Sequence, residues 1–188
     1  MDEKTDRAAL GPGGEYVARL AGEGDLRSIM NLLNRYGVPS GATNADKDTI
    51  VHIDPLLPPN AYREVNVRFQ LYNFSEEFVM LERAGTLDGL LGVKLSDFGI
   101  EVMHLGLVVV RRDCPVTSEL LQYMAANVAE IALTRPTKFR LTVSAGAPYL
   151  QELVAIATAA GFLPEYRAED ELGWGKAVLA YARTVAAA

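Results

Sequence analysis

Residues 100–162 constrain this chain more than any other stretch. They read IEVMHLGLVVV, a polar break RRDCPVTSE, then LLQYMAANVAEIA, KFRLTV and finally YLQELVAIATAAGF. Ile100 to Val110 is apolar and rich in β-branched residues, the pattern of a strand buried on both faces. Leu121, Met124, Val128 and Ile131 recur at three- and four-residue steps, which puts them on one side of a helix. Phe139, Leu141 and Val143 alternate with Arg140 and Thr142, a strand signal. Leu150, Leu153, Val154 and Ala157 return to helical spacing, and Gly161 stands where a helix needs a left-handed cap. The stretch therefore predicts strand, turn, helix, strand, helix.

The flanking segments extend this order. Residues 1–15 read as a flexible leader with GPGG near its end, residues 16–183 as a single domain, and residues 184–188 as a frayed tail. Tyr16 to Ala21 alternates and predicts a first strand, and Leu26, Ile29, Met30 and Leu33 form a helical stripe stopped at Gly37. Glu23 and Asp25 precede that helix, where its dipole favours negative charge. Residues 38–60 form a long proline-containing connection, broken by one short extended piece at Ile50 to Ile53. Long loops in compact domains are functional or disordered more often than neutral. This one reads either as a surface excursion or as a lid over a site.

Asn60 is a candidate cap for a helix whose stripe is Tyr62, Val65, Phe69 and Tyr72. Phe78 to Glu82, a turn at Arg83 to Thr86, and Leu87 to Leu95 predict a hairpin feeding into Ile100 to Val110. Leu163 to Arg167 and Ala177 to Ala182 predict two last strands. The fold class is α/β (α+β): a mixed, largely antiparallel sheet of six to seven strands with about four helices.

Bulk properties narrow the function. The formal net charge is −6 and no Lys/Arg cluster appears that would neutralise several phosphates, which argues against a nucleic-acid partner. No apolar stretch reaches the roughly 20 residues of a membrane span, and the polar start lacks a signal peptide's apolar run. Cys114 is the single cysteine, compatible with a reducing cytoplasm. With one cysteine and two histidines, His52 and His104, no structural zinc site is expected.

The order βα(α)βββαβαββ, and above all the ending AAGF after a helix, resembles the GNAT superfamily of acyl-CoA N-acyltransferases. The likeness covers about Tyr16 to Arg183. It implies that the strand matching Ile100 to Val110 parts from the strand matching Phe139 to Val143. The pantetheine arm of a thioester donor lies in such a gap, against backbone N–H and C=O groups. On that basis Leu107, Val108 and Val109 line the donor arm. The family's glycine-rich diphosphate loop corresponds here to Arg111 through Ser118. That stretch has no glycine, and Pro115 and Asp113 are unfavourable to phosphate. Arg111, Arg112, Thr117 and Ser118 either hold a phosphate, or Thr117 or Ser118 caps the helix while the arginines are solvated.

The co-substrate implied is acyl-CoA, or acyl-phosphopantetheine on an acyl carrier protein, which needs no diphosphate loop. The chain's own negative charge counts mildly against an acidic carrier. The family's tyrosine acid aligns with Ala157, leaving Tyr149 as a substitute acid or a packing residue. Glu101 and His104 are candidate bases. They lie three positions apart and so on opposite strand faces, and the histidine has the better intrinsic pKa. His52 and Asp54 in the long connection form a second pair that can reach over an acceptor. Cys114 is also a candidate nucleophile at a helix start. The expected activity is acyl transfer from a thioester to a small-molecule amine, with no metal. The alternative is a GNAT-shaped binding or regulatory protein without catalysis. The expected partners are the amine acceptor and an acyl carrier protein, with a homodimer as a further option.

Overall fold

A computed structural model describes residues 7–40, 47–73, 75–94, 102–131, 138–170 and 176–185. In chain order the elements are β1 (Arg7–Leu10), β2 (Tyr16–Leu20), α1 (Leu26–Arg35), β3 (Thr49–Ile53), α2 (Glu64–Asn73), β4 (Glu76–Arg83) and β5 (Thr86–Lys94). They continue with β6 (Val102–Arg111), α3 (Thr117–Ile131), β7 (Lys138–Ser144), α4 (Leu150–Ala159), β8 (Leu163–Ala168) and β9 (Val178–Thr184). The strands form one sheet in the order β1-β2-β4-β5-β6-β7-β9-β8, with β3 attached to β6. Among the described residues only β6 and β7 pair in parallel. The expected class stands.

The strand count rises from six or seven to nine among the described residues, for two reasons. Arg7–Leu10, inside the expected leader, pairs antiparallel with β2, and Gly11 beyond it donates its N–H to Glu119 Oε2 on α3 at 3.0 Å. The extended piece near Ile50 is a full strand on β6. Thr184, expected in the tail, closes β9.

Punctuation follows local chemistry. The β4–β5 hairpin turns through Ala84 and Gly85, both at positive φ (49° and 75°), the conformation that a tight twisted hairpin demands. Gly161 ends α4 at φ 88°, as its sequence position predicts. The start of α2 differs from expectation. Asn60 does not cap it, because the chain makes turns through Arg63 and the helix begins at Glu64. The Asn60 carbonyl instead accepts from the Arg63 N–H and from Asn66 Nδ2.

The apolar stripe of α2 is a second correction. Val65, Phe69 and Tyr72 are exposed, while Val67, Gln70 and Leu71 are buried. The helix carries two apolar faces, and the one that meets the sheet is the face bearing Val67 and Leu71. Tyr62, outside the helix, is buried separately.

Helices α3 and α4 cover one face of the sheet and α1 and α2 the other. β6 serves both layers. Met103, Leu105, Val108 and Val110 point to the α3/α4 side, and Leu107 and Val109 to the α1/α2 side. Each such fully buried aliphatic or aromatic side chain stabilises the fold by about 1.5–3 kcal/mol relative to exposure. Two-sided burial explains the unbroken apolar run read in the sequence. No helix among the described residues is long and apolar enough to cross a membrane.

Candidate active site

The sheet is forked at its centre. β6 and β7 pair only through Val102–Lys138, Met103–Phe139 and His104–Arg140. Beyond that point β7 runs on to Ser144 with β9 on its far side, and β6 runs on beside β5. The expected parting of the two strands is therefore present, and His104 is the last paired residue of β6 before it.

A bulge stands just past the fork. Leu105 lies opposite Val93 and Leu107 opposite Gly92, so Gly106 is the extra residue. A bulge re-aims the strand, and here it exchanges which face of β6 points to which helical layer. Gly106 is required by crowding. A Cβ there would lie 2.6 Å from the Tyr62 hydroxyl and 3.2 Å from Leu57 Cδ1. Gly92 meets the same limit, since a Cβ on it would collide with Glu76 Oε1.

These two glycines make room for a buried polar cluster on the α1/α2 side. Tyr62 donates its hydroxyl to Glu76 Oε1 at 2.7 Å. Lys94, directly opposite Glu76 across the hairpin, holds Nζ 3.7 Å from Glu76 Oε2, and that oxygen has no hydrogen bond. Asp54 accepts the Leu56 N–H at 2.9 Å, while its own N–H donates to the Gly106 carbonyl. Burial pushes the Glu76 carboxyl up to about 7, with Lys94 and Tyr62 opposing. Burial likewise raises Asp54 to about 6 and the Tyr62 phenol well above its ordinary range. His104 is the register partner of Lys94, and strand alternation gives it the same face. Half-burial, with a smaller push from the Arg140 guanidinium, lowers its pKa and favours neutral imidazole.

The expected site residues divide accordingly. Asp54 comes to this cluster, while His104 stands on the same face as the register partner of Lys94, with Arg140 and Glu165 as the charges that act on it. His52 and Tyr149 meet on the α3/α4 side instead: His52 Nδ1 lies 3.4 Å from the Tyr149 hydroxyl, with the two rings edge to face. Burial drives His52 down to about 4 and so keeps it neutral, although the Thr142 backbone on β7 opposes this weakly. Its Nε2 makes no well-formed hydrogen bond. Tyr149 is raised by burial. Glu101 lies outside the described residues.

The donor-side expectations meet a different geometry. The edge of Leu107, Val108 and Val109 that faces the fork is paired with Ile53, His52 and Val51 of β3. Arg111 is bidentate to Asp113, at 2.9 and 2.7 Å, and Arg112 is paired with Glu152. The buried Thr117 donates its hydroxyl to the Cys114 carbonyl at 3.1 Å. Ser118 is half-buried. Cys114 is a partly buried free cysteine. A surface hollow of about 520 Å³ is lined by Gly161, Leu163 and Arg183, on the β8–β9 side of the sheet.

Glu76, Tyr62 and Lys94 escape sequence reasoning, because nothing in their spacing links them. Glycine inside a strand is a signal of close approach, and Gly92 and Gly106 carry that signal.

Solved structures identify the architecture. The ribosomal-protein-S5-alanine acetyltransferase from Vibrio fischeri matches with a TM-score of 0.63 at 12% identity, over 95% of this chain and 96% of that one. RimL, the ribosomal L7/L12 alpha-N-protein acetyltransferase, matches with a TM-score of 0.64 at 14% identity, over 93% and 96%. The spermidine N-acetyltransferase from Vibrio cholerae in complex with CoA and spermine matches with a TM-score of 0.60 at 15% identity, over 90% and 95%. No protein-family model matches the chain, and no curated protein matches it by sequence. The chain has the GNAT acyltransferase fold.

Proposed function

We propose that the protein is an N-acyltransferase that moves an acyl group from a thioester to a primary amine at the β6–β7 fork. The observation that carries this reading is the position of His104, a neutral imidazole at the last paired residue before the strands part. The amine nitrogen attacks the thioester carbonyl carbon, and His104 takes the amine's proton. The carbon–sulfur bond then breaks, and the departing thiolate is protonated by Tyr149, which borders the fork from the α4 side. A neutral imidazole suits the task because a base must be unprotonated to accept the amine's proton. Asp54 and Glu76 supply carboxyl groups around Lys94, the register partner of His104 on the same face, which favours a small cationic amine as acceptor. Names of solved proteins with this fold, among them spermidine N-acetyltransferases, point the same way.

The donor is an acyl-CoA or an acyl-phosphopantetheine on a carrier protein. Asp113 and Glu152 already engage Arg111 and Arg112, which weighs against tight capture of the coenzyme A diphosphate and towards the carrier-borne arm. Thiol release measured with acetyl-CoA and with S-acetyl-phosphopantetheine, against a panel of polyamines and amino-terminal peptides, tests the proposal. Amine-dependent release is expected. Release with no amine and no donor tried would end it.

A second reading is favoured by one observation, the pairing of β3 along β6 inside the fork. It is a GNAT-shaped protein that binds a ligand or partner without acyl transfer. Amine binding to the Asp54–Glu76 cluster without thiol release would select it.

A further inference from the structure

A strand has two edges, and both edges of β6 are taken. β5 holds one, from the Lys94–His104 pair to the Leu90–Val109 pair. On the other, β7 stops at His104 and β3 begins at Leu107, continuing to Arg111. The ladder is closed at both ends, by the Asp54 N–H to the Gly106 carbonyl and by the Arg112 N–H to the Asp48 carbonyl. β3 therefore lies between the two arms of the fork as an intramolecular wedge.

Its two seams are unequal. Towards β6 it is a regular antiparallel ladder of five pairs. Towards β7 no strand pairing joins it among the described residues, and the buried His52 Nε2 makes no well-formed hydrogen bond. At the start of α4 the polar approach is long, 3.4 Å from His52 Nδ1 to the Tyr149 hydroxyl. Buried polar groups without partners are costly, so β3 is held well on one side and poorly on the other.

We propose that β3 is a resident occupant of the donor cleft, and that a thioester arm binds only when β3 releases the Leu107–Arg111 edge. The inference rests on the acyl-transfer reading above. A pantetheine arm is an extended chain carrying amide N–H and C=O groups, and it competes for the same backbone partners that β3 uses. Donor binding is then coupled to a rearrangement of residues 48–54. The same segment delivers Asp54 to the acceptor cluster, so departure of β3 also reshapes the acceptor side. The apparent donor affinity is reduced by the fraction of molecules in which β3 has left.

Hydrogen exchange by mass spectrometry on the full chain, with and without S-acetyl-pantetheine or acetyl-CoA, reads the release directly. Exchange in residues 48–54 rises when donor binds. A lock supplies the second measurement. Val51 and Val109 are paired and fall at a non-hydrogen-bonded position, because the bonded pairs Asp54–Gly106 and Asp48–Arg112 are an odd number of steps away. In a Cys114→Ser background, the double variant Val51→Cys, Val109→Cys is expected to bind donor about tenfold or more weaker when oxidised, with recovery on reduction. Donor binding that leaves 48–54 protected, with oxidised and reduced lock binding alike, overturns the inference and leaves the acyl-transfer reading standing. A thioester that binds neither wild type nor reduced lock overturns both.

Discussion

Glu76 and Lys94 face each other directly across the β4–β5 hairpin, yet the closest charged atoms are 3.7 Å apart, and the shorter bond to Glu76, 2.7 Å, comes from the Tyr62 hydroxyl. The carboxyl is therefore held by a neutral donor more closely than by its cation. Burial, acting against both, keeps it near neutrality in pKa. A carboxyl in that state can exchange a proton at physiological pH, on the face of the sheet that His104 also faces.

The bond from Tyr62 to Glu76 has a measurable worth. Tyr62→Phe removes the hydroxyl and leaves a buried acceptor unpaired, which costs about 1–3 kcal/mol. Urea unfolding at pH 7 is expected to show that loss. The Glu76 carboxyl, freed of a bond that favours its charged form, then titrates still higher.

Stability should depend on pH in an unusual direction. Burial raises Glu76 from 4.5 to about 7 in the folded chain, so between those values the folded state holds the extra proton and stability falls as pH rises. Asp54, raised from 3.8 to about 6, acts likewise over a lower window. His52, lowered from 6.5 to about 4, acts oppositely, its contribution complete above 6.5 and lost on acidification. Above pH 6.5 Glu76 alone of the three still titrates strongly. Unfolding free energy is expected to drop by about 1 kcal/mol from there to about pH 8, and Glu76→Gln should flatten the profile.

Gly106→Ala tests the crowding at the bulge. The added Cβ would sit 2.6 Å from the Tyr62 hydroxyl, so the phenol must move or the strand must shift. Overpacking of this kind costs about 1–3 kcal/mol. A variant as stable as wild type, with the Tyr62–Glu76 bond intact, would show that the bulge is looser than the structure places it.

His104→Gln addresses the base. Its side chain is half-buried and makes no bond that holds the fold, so the melting temperature should stay near that of wild type. Turnover should fall by about 10²–10⁴-fold. The wild-type rate should lose its acidic limb at a pH below the ordinary histidine value, since half-burial lowers that pKa. Equal turnover in the variant moves the base elsewhere in the cluster.

Much of this fold was legible because periodicity reports burial. The run through Val110 announced a strand covered on both faces, and Leu121, Met124 and Val128 announced the buried face of α3. The α2 stripe misled because Val65, Phe69 and Tyr72 repeat as regularly as a core face while Val67 and Leu71 take the sheet. Periodicity finds an apolar face without saying which face is covered. The strand at Arg7–Leu10 was hidden by its polar, glycine-flanked setting, since an edge strand needs little hydrophobic signal. His104 was readable as the base candidate because it stands on the central strand. Glu76, Tyr62 and Lys94 were not, because their cluster is made by tertiary pairing of β4 with β5 and by a bulge whose position depends on register.

The central claim is best tested by the crystal structure of the protein with S-acetyl-pantetheine or acetyl-CoA bound. The account predicts the thioester carbonyl at the parting of β6 and β7, its arm along the Leu107–Arg111 edge, and His104 on the side from which an amine would approach. An arm bound elsewhere, with β6 and β7 as they are here and β3 still in place during turnover, would contradict it.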